Sequence, residues 1–150
     1  MSAPSPQKVT TPTPADLERL EAQRLVCTNY LADDTSRASY QSGSAGKLGL
    51  LRALLQANIF SPAHPYELQS MGVILGDVFV AELGMVWVMV EDEYGRDPAI
   101  LMPGTSILLF PLTMISKRVE QGAQGDVFDL FNSMAGEIER LRTNPGTQAE

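Results

Sequence analysis

The sequence predicts an α+β fold, a small three-stranded antiparallel meander packed with four to five helices in a single domain. Three observations predict it. Apolar residues recur at three- and four-residue spacing through most of the chain, as amphipathic helices require. Between Met85 and Phe110 that period gives way to short apolar runs, "MVWVMVE", "PAILM" and "SILLF", separated by turn residues. A chain of 150 residues, 44% hydrophobic and 19% charged, can also build one real core, since folding at this length removes roughly 70% of the unfolded surface from water.

Residues 1–12, rich in Pro, Ser and Thr without periodicity, and residues 144–150 read as disordered tails around a domain spanning 13–143. The domain opens with a helix start signal: Thr13 can cap, Pro14 suits the first helical position and Asp16 favours the positive end of the dipole. Leu17, Leu20, Cys27 and Leu31 then share one face. The polar stretch "DDTSRASYQSGSAG" reads as a connector. After it, Leu48, Leu51, Leu55 and Ile59 mark a second, short helix.

From Tyr66 to Leu83, Leu68, Met71, Gly72, Leu75, Phe79 and Leu83 form one stripe with Gly84 as a C-terminal cap, so this helix should be the most buried. Gly72 and Gly76, four apart, should let another element approach closely. "MVWVMVE" is apolar on both alternating faces, as a central strand covered on both sides would be. Pro103 and Gly104 occupy the places a type II turn wants between the next two strands. "PLTMISKRVE" predicts a short helix closed by Gly122, and Asp126 should cap a last helix carrying Val127, Leu130, Phe131, Met134, Ile138 and Leu141 on one face.

The net charge of −7 repels phosphate backbones and anionic headgroups, and Lys117–Arg118 is the only adjacent basic pair. The reading therefore has no nucleic acid and no membrane among the partners, and favours a basic protein; a homo-oligomer stays open. One cysteine, Cys27, permits no intrachain disulfide and no cysteine cluster for zinc, which fits a reducing compartment. The N-terminus lacks an apolar leader region, and no apolar run approaches the roughly 20 residues that span a bilayer, so a cytoplasmic location is expected.

The segment Glu91 to Asp97 sets four carboxylates and an arginine in seven residues. Glu91, Asp92, Glu93 and Asp97 could ligate a hard cation or act as acid and base. Their spacing fits no calcium loop, because Tyr94 and Arg96 stand where ligands belong. The competing reading is a solvated hairpin end in which Asp97 and Arg96 pair across the turn. "QSGSAGKLG" has the Gly46–Lys47 of a phosphate loop, but Gln41 replaces the first glycine and Leu48 the hydroxyl. Cys27 with the lone His64 could make a thiol nucleophile; a core cysteine and an exposed histidine is the plainer reading. Asp77, alone in an apolar helix, marks either an exposed seam or an ion pair with Lys117 or Arg118. No metal or cofactor is implied.

The run from Met71 to Phe131, with its tryptophan strand, "EDEYGRD" turn, "PGTS" turn and "ISKR" helix, resembles an uncharacterised bacterial family described only as a domain of unknown function. That resemblance implies a small α+β protein and carries no activity or site residue. The plan of the chain is also similar to that of some small immunity and toxin-neutralising proteins. The leading expectation is a non-enzymatic interaction module that docks a basic partner through the acidic turn. The competing class is a small-ligand binder or enzyme that combines Asp92, Tyr94, Arg96 and Asp97 with Lys117 and Arg118.

Overall fold

A computed structural model of the protein describes residues 7–122 and 125–143. Along the chain run β1 (Lys8–Thr10), α1 (Pro14–Thr28), α2 (Asp34–Ser42), α3 (Ser44–Gln56), α4 (Pro65–Leu83), β2 (Val86–Asp92), β3 (Gly95–Leu101), β4 (Leu108–Leu109), α5 (Leu112–Glu120) and α6 (Val127–Thr143). The strands form one antiparallel sheet in the order β1-β2-β3-β4. The α+β class and the β2–β3–β4 meander are as the sequence predicts.

Helix α4 is the hub, packing against α1, α3, α5 and α6. Its run of Leu68, Met71, Val73, Ile74, Leu75, Val78 and Phe79 is almost wholly removed from water. Each such side chain contributes about 1.5–3 kcal/mol of burial. Phe79 meets Phe131 of α6 with ring centroids 4.9 Å apart. The two glycines work as expected. A Cβ on Gly72 would lie 2.3 Å from the Pro111 carbonyl oxygen, and one on Gly76 would lie 2.6 Å from the Trp87 ring. Both contacts are closer than any side chain tolerates, so α5 and β2 can seat on α4 only because these positions are bare.

Two segments differ from the sequence reading. Residues 8–10, placed in the N-terminal tail, form β1 and pair with β2 from Lys8↔Glu91 to Thr10↔Met89. The reason lies in β2, whose second edge would otherwise present unpaired backbone groups. With β1 in place β2 is an interior strand, its backbone paired on both edges. The polar connector is helix α2, whose N-cap Asp33 accepts a hydrogen bond from the Ser36 amide at 2.7 Å. None of its residues is fully buried. It abuts α3 at Gly46, where a Cβ would fall 1.7 Å from the Ser39 carbonyl oxygen. Tyr40 is the one α2 side chain packed against the core, so the helix has no apolar stripe to betray it. The expected tail at 144–150 lies outside the described residues.

The turns follow the chemistry of their residues. Thr105 donates its amide to the Met102 carbonyl at 3.1 Å, and Gly104 adopts φ +79°, as a type II turn over Pro103–Gly104 demands. Asp126 accepts from the Phe128 amide and pairs with Arg52 of α3, which also stacks on the Phe128 ring at 4.2 Å. Side-chain alternation splits the sheet into two faces. Trp87 and Ile100 join the main core, while Val88, Val90 and Ala99 form a second cluster with Leu101 and Leu108, all on strands. Among the described residues no helix is long and apolar enough to cross a membrane.

Candidate functional site

The acidic segment is the β2–β3 hairpin end, with Asp92 paired to Gly95 and a two-residue loop of Glu93 and Tyr94. Asp92 makes the bend itself, its carboxylate accepting from the Tyr94 amide at 2.8 Å. Tyr94 is 88% exposed, a large aromatic ring that none of the described residues covers. Alternation along the strands turns Asp92 and Asp97 to one face and Glu91 and Arg96 to the other. Glu91 stands in register between Lys8 of β1 and Arg96 of β3, a row of alternating charge. Among the described residues Glu91, Asp92, Glu93 and Asp97 make no ion pair.

Arg96 does not pair with Asp97 across the turn. Its Nη1 and Nη2 instead donate to Oδ1 and Oδ2 of Asp16 at 2.6 and 2.7 Å, a two-pronged pair between β3 and α1. Asp16 is 2% exposed and closes a capping box: its amide donates to Thr13 Oγ1, and its carboxylate accepts from the Thr13 amide at 2.8 Å. Arg19 also donates to it. The Arg96 guanidinium, then the Thr13 amide, hold this carboxyl well below its ordinary value of 3.8. The sequence pointed to Asp16 as a dipole partner only.

Beside that pair lies a cleft of about 320 Å³ between α1, α4 and the strands. Asp16, Arg19 and Gln23 reach it from α1, spaced three and four apart on one helix face, and Tyr66 and Gln69 reach it from α4. Met89, Pro98 and Leu112 supply apolar wall. Sequence reasoning missed this site because it assigned that face of α1 to Leu17, which is in fact 51% exposed. The row Asp16, Arg19, Gln23 at helical spacing was the available signal.

The other candidates separate. Asp77 pairs with Arg24 of α1, not with Lys117 or Arg118: Nε and Nη2 of Arg24 donate to it at 2.7 and 2.9 Å, and Trp87 Nε1 adds a third bond at 3.1 Å. Arg118, near the C-terminal end of α5, lines a different cleft, of about 380 Å³, with Asn58 and Phe60, and Lys117 is exposed. The acidic turn and the basic pair therefore do not share a pocket. Burial pushes the Cys27 thiol up to about 12, so it is a core group, while exposed His64 bonds Ser61 through Nδ1. Lys47 donates to the Tyr40 carbonyl and lies over its ring at 4.7 Å, and Gly46 is filled by α2, which leaves no phosphate loop there. Among the described residues no group of three His, Cys, Asp or Glu is placed to hold a metal ion.

Fold and site together define a small α+β domain, with helices around α4 against one face of an antiparallel sheet and an acidic hairpin at its end. The chain belongs to the family described as a domain of unknown function, DUF3806, whose model matches residues 47–131. The match bears out the resemblance to an uncharacterised family seen in the sequence. It spans α3 to the first turns of α6, and so takes in the hairpin but not α1. No curated protein matches the chain. Among solved structures, a chain from Bacteroides thetaiotaomicron VPI-5482, crystallised and resolved to 1.50 Å, is similar in fold with a TM-score of 0.66 at 14% identity. The likeness covers 89% of this chain and 48% of that one, so this chain spans about half the length of its structural neighbour.

Proposed function

We propose that the domain is a non-enzymatic, cytoplasmic interaction module whose hairpin end docks a basic partner protein. The observation that carries this reading is Tyr94, 88% exposed at the tip and flanked by carboxylates with no ion pair among the described residues. An exposed tyrosine can anchor an interface through ring burial and a hydroxyl bond, while Asp92, Glu93 and Asp97 steer a cationic surface and fix its register. Glu91 sits toward Lys8 and Arg96 and contributes less. An immunity-like role, in which the basic partner is a toxin, is one form of this function.

The alternative, a ligand binder or enzyme built from the turn with Lys117 and Arg118, draws less support. Arg96 is committed to Asp16, and Arg118 opens onto another cleft. The test is a pull-down from source-cell lysate with the wild type and an Asp92→Asn, Glu93→Gln, Asp97→Asn variant, washed at low and high salt. The expected result is a protein retained by the wild type alone and released by salt. Equal retention by both would refute the docking face.

A further inference from the structure

The polar cleft between α1 and α4 contains hydrogen-bonding groups that the fold leaves without partners. Gln23 is only 7% exposed, and its side-chain amide makes no hydrogen bond among the described residues. Every fully sealed side-chain nitrogen and oxygen described does have a partner, so the Gln23 amide opens onto the cleft. A polar group in this position is met by an ordered water or by a ligand. Across the cleft the Gln69 amide and the Tyr66 hydroxyl, one helical turn apart on α4, are likewise unbonded within the described chain.

We propose that this cleft binds a small uncharged molecule carrying a carboxamide on an apolar body. A glutamine amide offers both donor and acceptor, and the group that answers both at once is another amide. Tyr66 and Gln69 offer the same mixed character from the opposite wall. Three of the four charged groups answer one another, since Arg96 commits both terminal nitrogens to Asp16 and Arg19 joins the same carboxylate, and the fourth, Asp97, sits on the opposite face of β3 from Arg96. Leu20, Met89, Pro98 and Leu112 line the rest, a wall suited to a ring or aliphatic body. Of the docking face only Asp97 also borders this cleft, while Tyr94, Asp92 and Glu93 lie outside it, so loss of docking at the tip and loss of binding here are separate outcomes.

The test is a titration of the full chain, labelled with nitrogen-15, with benzamide and separately with benzoate, followed on the side-chain NH₂ signals of Gln23 and Gln69. Benzamide is expected to shift both signals and leave the Tyr94 amide in place, with benzoate inactive. Gln23→Leu, which keeps the side chain's bulk, should weaken benzamide roughly tenfold or more, the loss of one buried hydrogen-bonding group. Gln69→Leu serves as the second variant should the first lose its dispersed spectrum. No shift with benzamide, binding of benzoate in its place, or undiminished binding in the folded variants would each overturn the proposal.

Discussion

Asp16 and Asp77 carry the same functional group as Asp92, Glu93 and Asp97 at the hairpin end, yet the two sets do opposite work. The side chains of Asp16 and Asp77 are 1% and 17% exposed, and each grips an arginine from a distant part of the chain. One pair joins α1 to β3 and the other joins α1 to α4, so α1 is fastened near both its ends. Among the described residues the tip carboxylates join no second element: Asp92 accepts only from the Tyr94 amide beside it, and Glu93 and Asp97 make no ion pair. Burial decides the difference: a carboxylate out of water persists only with partners, and those partners become structure, whereas a solvated one remains available to another molecule.

That contrast can be broken in measurable steps. Asp77→Ala leaves the Trp87 indole without its acceptor and Arg24 with only the exposed Glu21 as a partner, and should cost about 3 kcal/mol of unfolding free energy in urea melts. A cycle with Arg24→Ala should show strong coupling between the two. Asp16→Asn should lower the melting temperature at neutral pH and flatten its acid dependence. The sign follows from the depressed carboxyl. The unfolded group binds its proton at the ordinary 3.8 and the folded one only well below, so its contribution is complete above 3.8 and is lost as pH falls from there. Asp33, Asp126 and Glu137 are lowered too, which leaves the variant some residual acid sensitivity.

Smaller effects should follow as exposure rises. Trp87→Phe keeps a ring against Gly76 but drops the bond to Asp77, and should cost about 1 kcal/mol by the same melts. The triple tip variant should shift stability by less than about 0.5 kcal/mol, as surface substitutions away from packing and caps do. A large loss there would place the tip carboxylates with Asp16 and Asp77, as structural groups.

Much of the fold was legible because its signals are local. The capping of α1, the stripe and glycines of α4, the Pro103–Gly104 turn and the face of α6 each rest on residues a few positions apart. What was hidden depends on distance or on backbone. Nothing near Asp77 in sequence announces Arg24, 53 positions away, and nothing near Arg96 announces Asp16, 80 positions away. Helix α2 escaped because it packs through backbone at Gly46 and a single core-facing side chain, Tyr40, and β1 because three exposed residues carry no pattern of their own. The acidic turn was visible as a cluster, but its division, with Arg96 and Glu91 turned to one face and Asp92 and Asp97 to the other, follows from a register that no composition reveals.

The most direct test of the account sets the tip against an equal loss of charge elsewhere. Capture of a basic partner would be compared for the tip variant and for a Glu18→Gln, Glu120→Gln, Asp129→Asn variant, exposed positions on three helices or helix flanks, each set neutralising three of the chain's 18 acidic residues. The account expects the tip variant to lose the partner and the control to keep it, with both melting like the wild type. Equal weakening by both sets would mean that net charge alone attracts the partner, and would contradict a docking site at Tyr94.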